Sequence, residues 1–302
     1  WRSSDAFRSN KKIDWIGGCA VNTSRPDFKL YPNHHPDNHQ LVFYPNNPEI
    51  ALSSHDGGIS YTNNIMAKSV VWELKNNNYI YNNSIYHLPR HGFAREMDFD
   101  IIEQSNEKVV FSLKETAATL EKYPFKFELQ ISYTLIKSQL IIDFIVINNN
   151  EFSMPFSIGA HPAFALVNPF ESYELLFKKS ENLVVSKLEN ELISNTTYKL
   201  PLENNCLPLN YSLFENDALI FKTIESKSVT ITENKIPFLK VHYNDFPSLG
   251  IWTKNQAPFI CIEPWIGYAD TVDNNGNLEE KEGIQILGVN KTFETNYLIE
   301  IL

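Results

Sequence analysis

The sequence predicts an all-β protein built as a large β-sandwich. Short apolar runs recur along most of the chain, and clusters of Asn, Pro, Gly and Asp separate them, as between strands. Almost no stretch shows the 3.6-residue apolar period of an amphipathic helix. A chain of 302 residues is long enough to bury the core of one extended β domain or of two smaller ones.

The clearest predicted strand covers residues 127–135. Apolar residues alternate there with Glu, Gln, Ser and Thr, so one face is expected to be buried and the other solvated. Residues 140–147 are apolar nearly throughout, which predicts a strand that is covered on both faces. Three asparagines at residues 148–150 then turn the chain back.

The same signals predict the other elements. A hairpin is expected at residues 79–88 with its turn at Asn82-Asn83, and a strand at residues 108–113. Residues 115–122 predict a brief helix that Pro124 closes. Further strands are predicted at residues 173–177, 218–224, 228–232, 238–243, 249–253 and 293–302.

Residues 1–70 differ in pattern from residues 71–302, which are expected to form the sandwich domain. Five prolines punctuate the first segment, and its apolar residues follow no clear period. It is therefore predicted to be an atypical, irregular or diverged edge of the sandwich, with short strands at residues 40–44 and 50–53.

Three histidines in this segment, His34, His35 and His39, raise the question of a metal site. Histidines four residues apart can share a ligand face on a helix, but Pro32 and Pro36 disfavour a helix there. A solvated loop without a metal is the favoured interpretation.

Composition excludes several classes of partner. A net charge of −10 argues against nucleic acid or an anionic membrane as the main partner. No apolar run approaches the roughly 20 residues of a membrane-spanning helix.

The cysteines and one Asn-rich turn carry little further signal. Cys19, Cys206 and Cys261 are scattered and suggest no disulfide framework, so a reducing cytoplasm is expected. Residues 273–276 resemble part of a calcium loop, but its first position would hold Thr271 instead of Asp, which favours a plain polar turn.

Residues 257–270 contain the first candidate catalytic group. The apolar run at residues 259–262 predicts a core strand, and Pro264, which lacks an amide hydrogen, is expected to end it directly after Glu263. Trp265 then offers a flat apolar ring beside the carboxylate, which suits the binding of a sugar and the transfer of a proton. For any single Glu, a solvated strand terminus is the alternative.

A second candidate group is His161. An apolar run delivers it directly before Pro162, so it is expected to be extended at a strand end, beside Phe164. The alternative for a lone histidine is a structural role.

A third stretch is rich in cations. Two of the chain's five arginines, Arg90 and Arg95, bracket His91, and Gly92 permits a tight path that would let His91 and Arg95 converge. The alternative is a turn whose arginines pair with surface acids.

The chain contains HGFAR at residues 91–95, SIGAHPAF at 157–164, NDALIF at 216–221 and CIEPWIGYAD at 261–270. In order and spacing, these four motifs together resemble the galactose mutarotase (aldose 1-epimerase) superfamily, and its bacterial LacX-type branch most. The resemblance covers about residues 72–302, and the first 70 residues do not match the strands expected ahead of it.

The resemblance implies a large antiparallel β-sandwich, the galactose mutarotase-like supersandwich, with a sugar site in a cleft on one sheet. His161 matches the general acid and Glu263 the general base, and the two are expected to face each other across a gap one pyranose wide. The residues that would bind or line the sugar are His91, Arg95, Asp217, Trp265 and Phe164.

The implied activity is the interconversion of the α and β anomers of a hexose by acid–base ring opening, without a metal or other cofactor. A monomer or weak dimer is expected, with no nucleic-acid or membrane partner. Two alternatives stay open. A hexose-6-phosphate 1-epimerase would need additional cations for the phosphate, and a β-sandwich can also bind carbohydrate without catalysis.

Overall fold

The computed structural model describes residues 74–90, 92–94 and 97–302, together with the backbone of five strands between residues 13 and 53. The strands are, in chain order, β1 (Ile13–Ile16), β2 (Cys19–Asn22), β3 (Leu30–His35), β4 (Asn38–Phe43), β5 (Leu52–Ser53), β6 (Asn78–Tyr81), β7 (Ser84–His87), β8 (Asp100–Gln104), β9 (Lys108–Lys114), β10 (Phe127–Ile136), β11 (Gln139–Asn148), β12 (Met154–Phe156), β13 (Ile158–Gly159), β14 (Ala163–Ala165), β15 (Tyr173–Phe177), β16 (Leu183–Glu189), β17 (Leu192–Leu200), β18 (Cys206–Pro208), β19 (Leu219–Phe221), β20 (Ser228–Glu233), β21 (Ile236–His242), β22 (Ser248–Trp252), β23 (Phe259–Ile266), β24 (Gln285–Leu287) and β25 (Thr292–Ile301).

Helical structure is sparse in the described part of the chain. It consists of α1 (Ala117–Leu120) and short 3₁₀ turns at Lys75–Asn77, Phe170–Ser172, Tyr211–Phe214 and Leu278–Glu280. None of the described helices has the length and apolar character that crossing a membrane requires. The predicted brief helix is thus present but spans four residues, because Thr116 and Thr119 cap its first turn and Pro124 follows closely.

Two large antiparallel sheets form the body of the protein. One has nine strands in the order β18-β15-β20-β21-β25-β11-β10-β9-β8. The other has eight, in the order β17-β16-β19-β22-β23-β14-β5, with β13 also paired to β23. One apolar core receives side chains from both sheets, among them Ile131 of β10 and Ile262 of β23. The predicted all-β sandwich is confirmed.

The central strands of the nine-stranded sheet show how pattern and burial correspond. In β10 the predicted alternation is confirmed, with Phe127, Leu129 and Ile131 fully buried. The prediction that residues 140–147 are covered on both faces is wrong, because buried and half-buried residues alternate along β11. The isoleucines on the outward face of β11 are half-buried, because β11 lies between β10 and β25 in the sheet. β-Branched side chains suit such a half-buried sheet surface.

Most other predicted elements are present. The hairpin β6–β7 turns at Asn82 and Asn83, whose φ angles of 47° and 60° are those of a primed turn. The remaining predicted strands correspond to β9, β15, β19, β20, β21, β22 and β25. Several short or exposed strands, including β8, β16 and β17, were not predicted.

The N-terminal segment contains more regular backbone than its pattern predicts. β1 pairs with β2, β3 pairs with β4, and β5 joins the edge of the eight-stranded sheet through β14. The loop predicted for the histidines is wrong, since His34 lies opposite His39 in the β3–β4 hairpin. Proline disfavours a helix but is tolerated in edge strands, so Pro32 does not prevent this pairing. The division near residue 70 stays a prediction.

Candidate active site

The strand β23 divides its side chains between the two faces of its sheet. Ile260, Ile262 and Ile266 belong to the core between the sheets. Cys261 and Trp265 belong to separate apolar clusters, and Glu263 lies between them in the same alternation. We call the face of the eight-stranded sheet that carries these three residues the site face. Glu263 is therefore held by a central strand and directed away from the main core.

The prediction that Pro264 ends this strand is wrong, because β23 continues to Ile266. The carbonyl of Pro264 accepts a hydrogen bond from the amide of Ala160. In an antiparallel strand the carbonyl and the amide of one residue point to the same side, so an amide hydrogen at residue 264 would also point toward the segment around Ala160. Regular pairing with that neighbour is interrupted between β13 and β14. Pro264 therefore lies where the absence of its amide hydrogen removes no hydrogen bond of a regular strand pairing.

His161 lies in this same interruption between β13 and β14, as expected for a histidine at a strand end. The amide of Ile262 donates to the carbonyl of Pro162 at 3.2 Å, which fixes the chain around it against β23. Nδ1 of His161 is 3.4 Å from Oε1 of Glu263. The side chain of His161 is 17% exposed and that of Glu263 1%, so the pair lies at the boundary between solvent and interior.

The structure thus brings the two predicted catalytic side chains together, but without the predicted gap. At 3.4 Å the imidazole and the carboxylate are in direct contact, slightly beyond the usual hydrogen-bond length of about 2.7–3.2 Å. At this distance no space for a sugar ring remains between the two side chains.

Trp265 lies beside Glu263, but its ring is covered, with 1% of the residue exposed. The indole crosses the site face over two glycines. A Cβ atom on Gly250 would lie 2.3 Å from its Cζ2, and one on Gly159 would lie 2.7 Å from its Cδ1. The expectation of an open aromatic surface at Trp265 is therefore wrong, and the ring forms a packed floor next to the carboxylate.

The replacement Gly250→Ala is expected to destabilise the fold by about 1–3 kcal/mol, because the added methyl group would collide with the buried ring of Trp265. Urea unfolding measures this difference. Gly288→Ala is the matched control, since its Cβ would meet only the side chain of Lys291 at 3.4 Å. Equal stability of the two variants would contradict the packed floor.

Phe164 does not line the site. It pairs with Ile260 across β14 and β23, is fully buried and belongs to the main core. On β14 it is Ala163 that faces Cys261 and packs in the small cluster on the site face. Phe93 is likewise buried in the main core, against Tyr123 and Phe127.

The aromatic residue next to His161 is Trp252, which the sequence analysis did not single out. It lies opposite Cys261 in the β22–β23 pairing and is partly exposed. Its ring is 6.3 Å from that of His161, edge to face, and 5.8 Å from that of Phe259. The signal that could have identified Trp252 is the two-residue alternation along β22, in which Gly250 and Trp252 face away from the core residues Leu249 and Ile251.

The other predicted sugar-binding residues are not brought to His161 by described contacts. Asp217 is half-buried at the start of β19, two strands away from β23, and its carboxylate accepts from the amide of Ala218 at 2.8 Å. His91 and Arg95 lie outside the described residues. The neighbouring Arg90 forms an ion pair with Glu191 at 2.5 Å, which matches the alternative of pairing with a surface acid for that arginine.

A buried ion pair fixes the segment that follows β23. Nζ of Lys281 lies 2.9 Å from Oδ1 of Asp270, both side chains are 1% exposed, and Lys281 also donates to the carbonyl of Tyr268. The other oxygen of Asp270 accepts from the amide of Lys75 at 2.9 Å. Burial lowers the pKa of Lys281, and the nearby Asp270 opposes this shift. The pair and the Lys75 amide together tie the backbone at residue 75 to this segment.

The adjoining Asn-rich segment is the polar turn that the sequence predicts. Nζ of Lys75 donates to the carbonyls of Val272 and Asn274 at 2.7 and 3.3 Å. The side-chain oxygen of Asn274 accepts from the amide of Gly276 at 2.5 Å. These oxygens accept hydrogen bonds from donors of the chain itself, as expected for a polar turn.

One group of potential metal ligands occurs among residues 74–90, 92–94 and 97–302. The ligand atoms of His161, Cys261 and Glu263 all lie within 4.8 Å of one another. The contact between His161 and Glu263 therefore has a thiol as its neighbour.

Comparisons with known proteins agree with this fold. The family model for aldose 1-epimerase matches residues 66–286. The chromosomally encoded protein LacX of Lactococcus lactis subsp. lactis is 37% identical over 225 residues, which cover 71% of this chain and 75% of LacX.

Solved structures show the same architecture. A galactose mutarotase related enzyme from Lactobacillus acidophilus is 26% identical with a TM-score of 0.75, covering 97% of this chain and 94% of that one. A galactose mutarotase-like protein from Lactobacillus casei is 23% identical with a TM-score of 0.75, covering 94% and 93%. The protein is therefore a member of the aldose 1-epimerase family, in the LacX-type branch of the galactose mutarotase-like proteins.

Proposed function

We propose that this protein is an aldose 1-epimerase that interconverts the α and β anomers of a free hexose, with Glu263 as the base and His161 as the acid. The observation that carries the proposal is the 3.4 Å contact between Nδ1 of His161 and Oε1 of Glu263 at the edge of the interior. Family membership supports a sugar epimerase, and the 26% identical structure is that of a galactose mutarotase related enzyme.

The contact between the two groups suits the reaction. Opening the ring hemiacetal requires a base that removes the proton of the hydroxyl on C1 and an acid that protonates the ring oxygen. Both oxygens are bonded to C1, so an acid and a base that lie close together can reach both of them. After rotation about the C1–C2 bond, the ring closes on the other face of the aldehyde and the proton roles reverse.

The environments of the two side chains differ in a way that suits these roles. Glu263 is almost fully buried, so it would accept a proton where little water competes. His161 is partly exposed, so it can exchange its proton with water between turnovers. Each well-placed acid or base contributes about 10²–10⁴ in rate.

Trp252 supplies the apolar wall in this proposal. Its partly exposed ring adjoins His161, so the C–H face of a pyranose can stack on it while C1 contacts the acid–base pair. Trp252→Ala is expected to raise KM by about 2- to 12-fold, from the loss of about 0.5–1.5 kcal/mol of stacking, and to change kcat less.

Initial rates of anomer exchange over a range of hexose concentrations measure this change. Trp252→Phe is the control, because it retains an aromatic face and should stay near the wild-type KM. An unchanged KM in a folded Trp252→Ala variant would remove Trp252 from the sugar site.

A phosphorylated hexose is a less suitable substrate, because a phosphate requires cations that are free to bind it. Among the described residues, two basic groups that could bind a phosphate already have acidic partners, with Arg90 paired to Glu191 and Lys222 paired to Glu282 at 2.8 Å. Polarimetry of freshly dissolved α-glucose and α-galactose, beside α-glucose 6-phosphate, tests the proposal. Faster exchange of a free sugar supports it, whereas exchange of only the phosphate, or binding without acceleration, contradicts it.

A further inference from the structure

The neighbour of the acid–base pair is a thiol that ring opening does not need. Cys261 precedes Glu263 by two residues on β23, so both side chains project from the site face. His161 reaches the same point from the interruption between β13 and β14. Sulfur, nitrogen and carboxylate oxygen donors from two chain segments thus converge within 4.8 Å.

This spacing is close to that of a tetrahedral metal site. Donors at about 2.0–2.3 Å from a zinc ion lie about 3.3–3.8 Å from one another. The imidazole and the carboxylate already meet this condition at 3.4 Å. The widest separation among the three donors, at most 4.8 Å, requires a closure of about 1 Å, which side-chain rotation can supply.

The donor set also selects the kind of metal. A thiolate and an imidazole favour Zn²⁺ over Mg²⁺ or Ca²⁺, which prefer oxygen ligands. Three protein ligands leave a fourth position of a tetrahedral ion for water. The partly exposed His161 gives a cation a route to the cluster from solvent.

We propose that His161, Cys261 and Glu263 form a Zn²⁺ site that competes with the sugar for the acid–base pair. Zinc binding itself is independent of the function proposed above, whereas the competition rests on it. A bound cation would occupy the carboxylate that must accept a proton and the imidazole that must donate one. Zinc therefore inhibits the enzyme reversibly, and Cys261 supplies affinity for zinc without taking part in ring opening.

Calorimetric titration with Zn²⁺ and absorption spectra with Co²⁺ test the site directly. The wild type is expected to bind zinc and to show a cobalt–thiolate charge-transfer band. Cys261→Ala should lose that band and bind zinc at least about tenfold more weakly, since loss of even an outer-shell partner costs 10–100-fold. Cys206→Ala is the matched control, because Cys206 is a free cysteine on β18 in the other sheet. Equal zinc affinity of Cys261→Ala and the wild type, or no thiolate band, would overturn the proposal.

Anomer exchange with and without Zn²⁺ tests the competition. Zinc should slow the wild type and Cys206→Ala, a chelator should restore the rate, and excess hexose should weaken the inhibition. Cys261→Ala should keep its rate without zinc and resist the inhibition. Cys261-dependent binding that leaves the exchange rate unchanged would overturn the competition. An absence of catalysed exchange in zinc-free wild type would instead refute the proposed function, and the metal titrations would still decide the site.

Discussion

Glu263→Gln is expected to lower kcat for anomer exchange by about 10²–10⁴, the usual contribution of a general base. The amide has nearly the same shape as the carboxylate but cannot accept the proton of the C1 hydroxyl. KM should change little, because the sugar still contacts Trp252 and the amide can still form hydrogen bonds. Polarimetry gives kcat directly from the rate above the uncatalysed reaction.

The control for this variant is Glu103→Gln, which removes a carboxylate paired with Lys108 on the exposed edge of the nine-stranded sheet. It should exchange anomers at the wild-type rate. A folded Glu263→Gln variant with full activity would show that another group acts as the base. A loss confined to KM would mean that Glu263 binds the sugar without proton transfer.

The second large effect concerns stability. Lys281→Met is expected to lower the free energy of unfolding by about 3–5 kcal/mol, because it leaves the carboxylate of Asp270 buried without its ammonium partner. The same change removes the hydrogen bond to the carbonyl of Tyr268 and weakens the connection to Lys75. Urea unfolding measures the loss.

A double variant separates charge burial from lost packing. Asp270→Asn combined with Lys281→Met removes both charges and keeps an amide oxygen that the backbone of Lys75 can still reach, so it should recover more than half of the loss. Lys108→Met is the control, since an exposed pair contributes only about 0–1 kcal/mol. If the two replacements in the double variant were simply additive, the pair would not be energetically coupled.

The fold was predictable where a strand has one buried and one solvated face. The alternation in β10 marks its core face directly, and Asn82-Asn83 marks the hairpin turn. The fully apolar run before Glu263 lacks such a contrast, so it could not show which residues face the core and which face the site. The end of β23 was mispredicted because the cost of Pro264 depends on a neighbouring strand about a hundred residues earlier in the chain.

The proximity of His161 and Glu263 was predictable through their motifs, whereas the side chains packed around them were not. Phe164 and Trp265 are large aromatic residues next to the two catalytic candidates, which made them attractive as sugar-binding surfaces. The alternation of side chains along β14 places Phe164 in the core. Gly159 and Gly250, both far from Trp265 in sequence, leave the space that the covered ring of Trp265 occupies. The buried Asp270–Lys281 pair could not be predicted from the sequence either. Charged residues rarely lie inside proteins unless they are paired, and only the fold brings these two together.

The measurement that tests the central claim most directly is a crystal structure of the Glu263→Gln variant soaked with galactose or glucose. The account predicts the C1 hydroxyl within about 2.6–3.2 Å of the side chain at position 263 and the ring oxygen at a similar distance from the imidazole of His161. A hexose bound elsewhere, or one whose C1 lies out of reach of both groups, would contradict it.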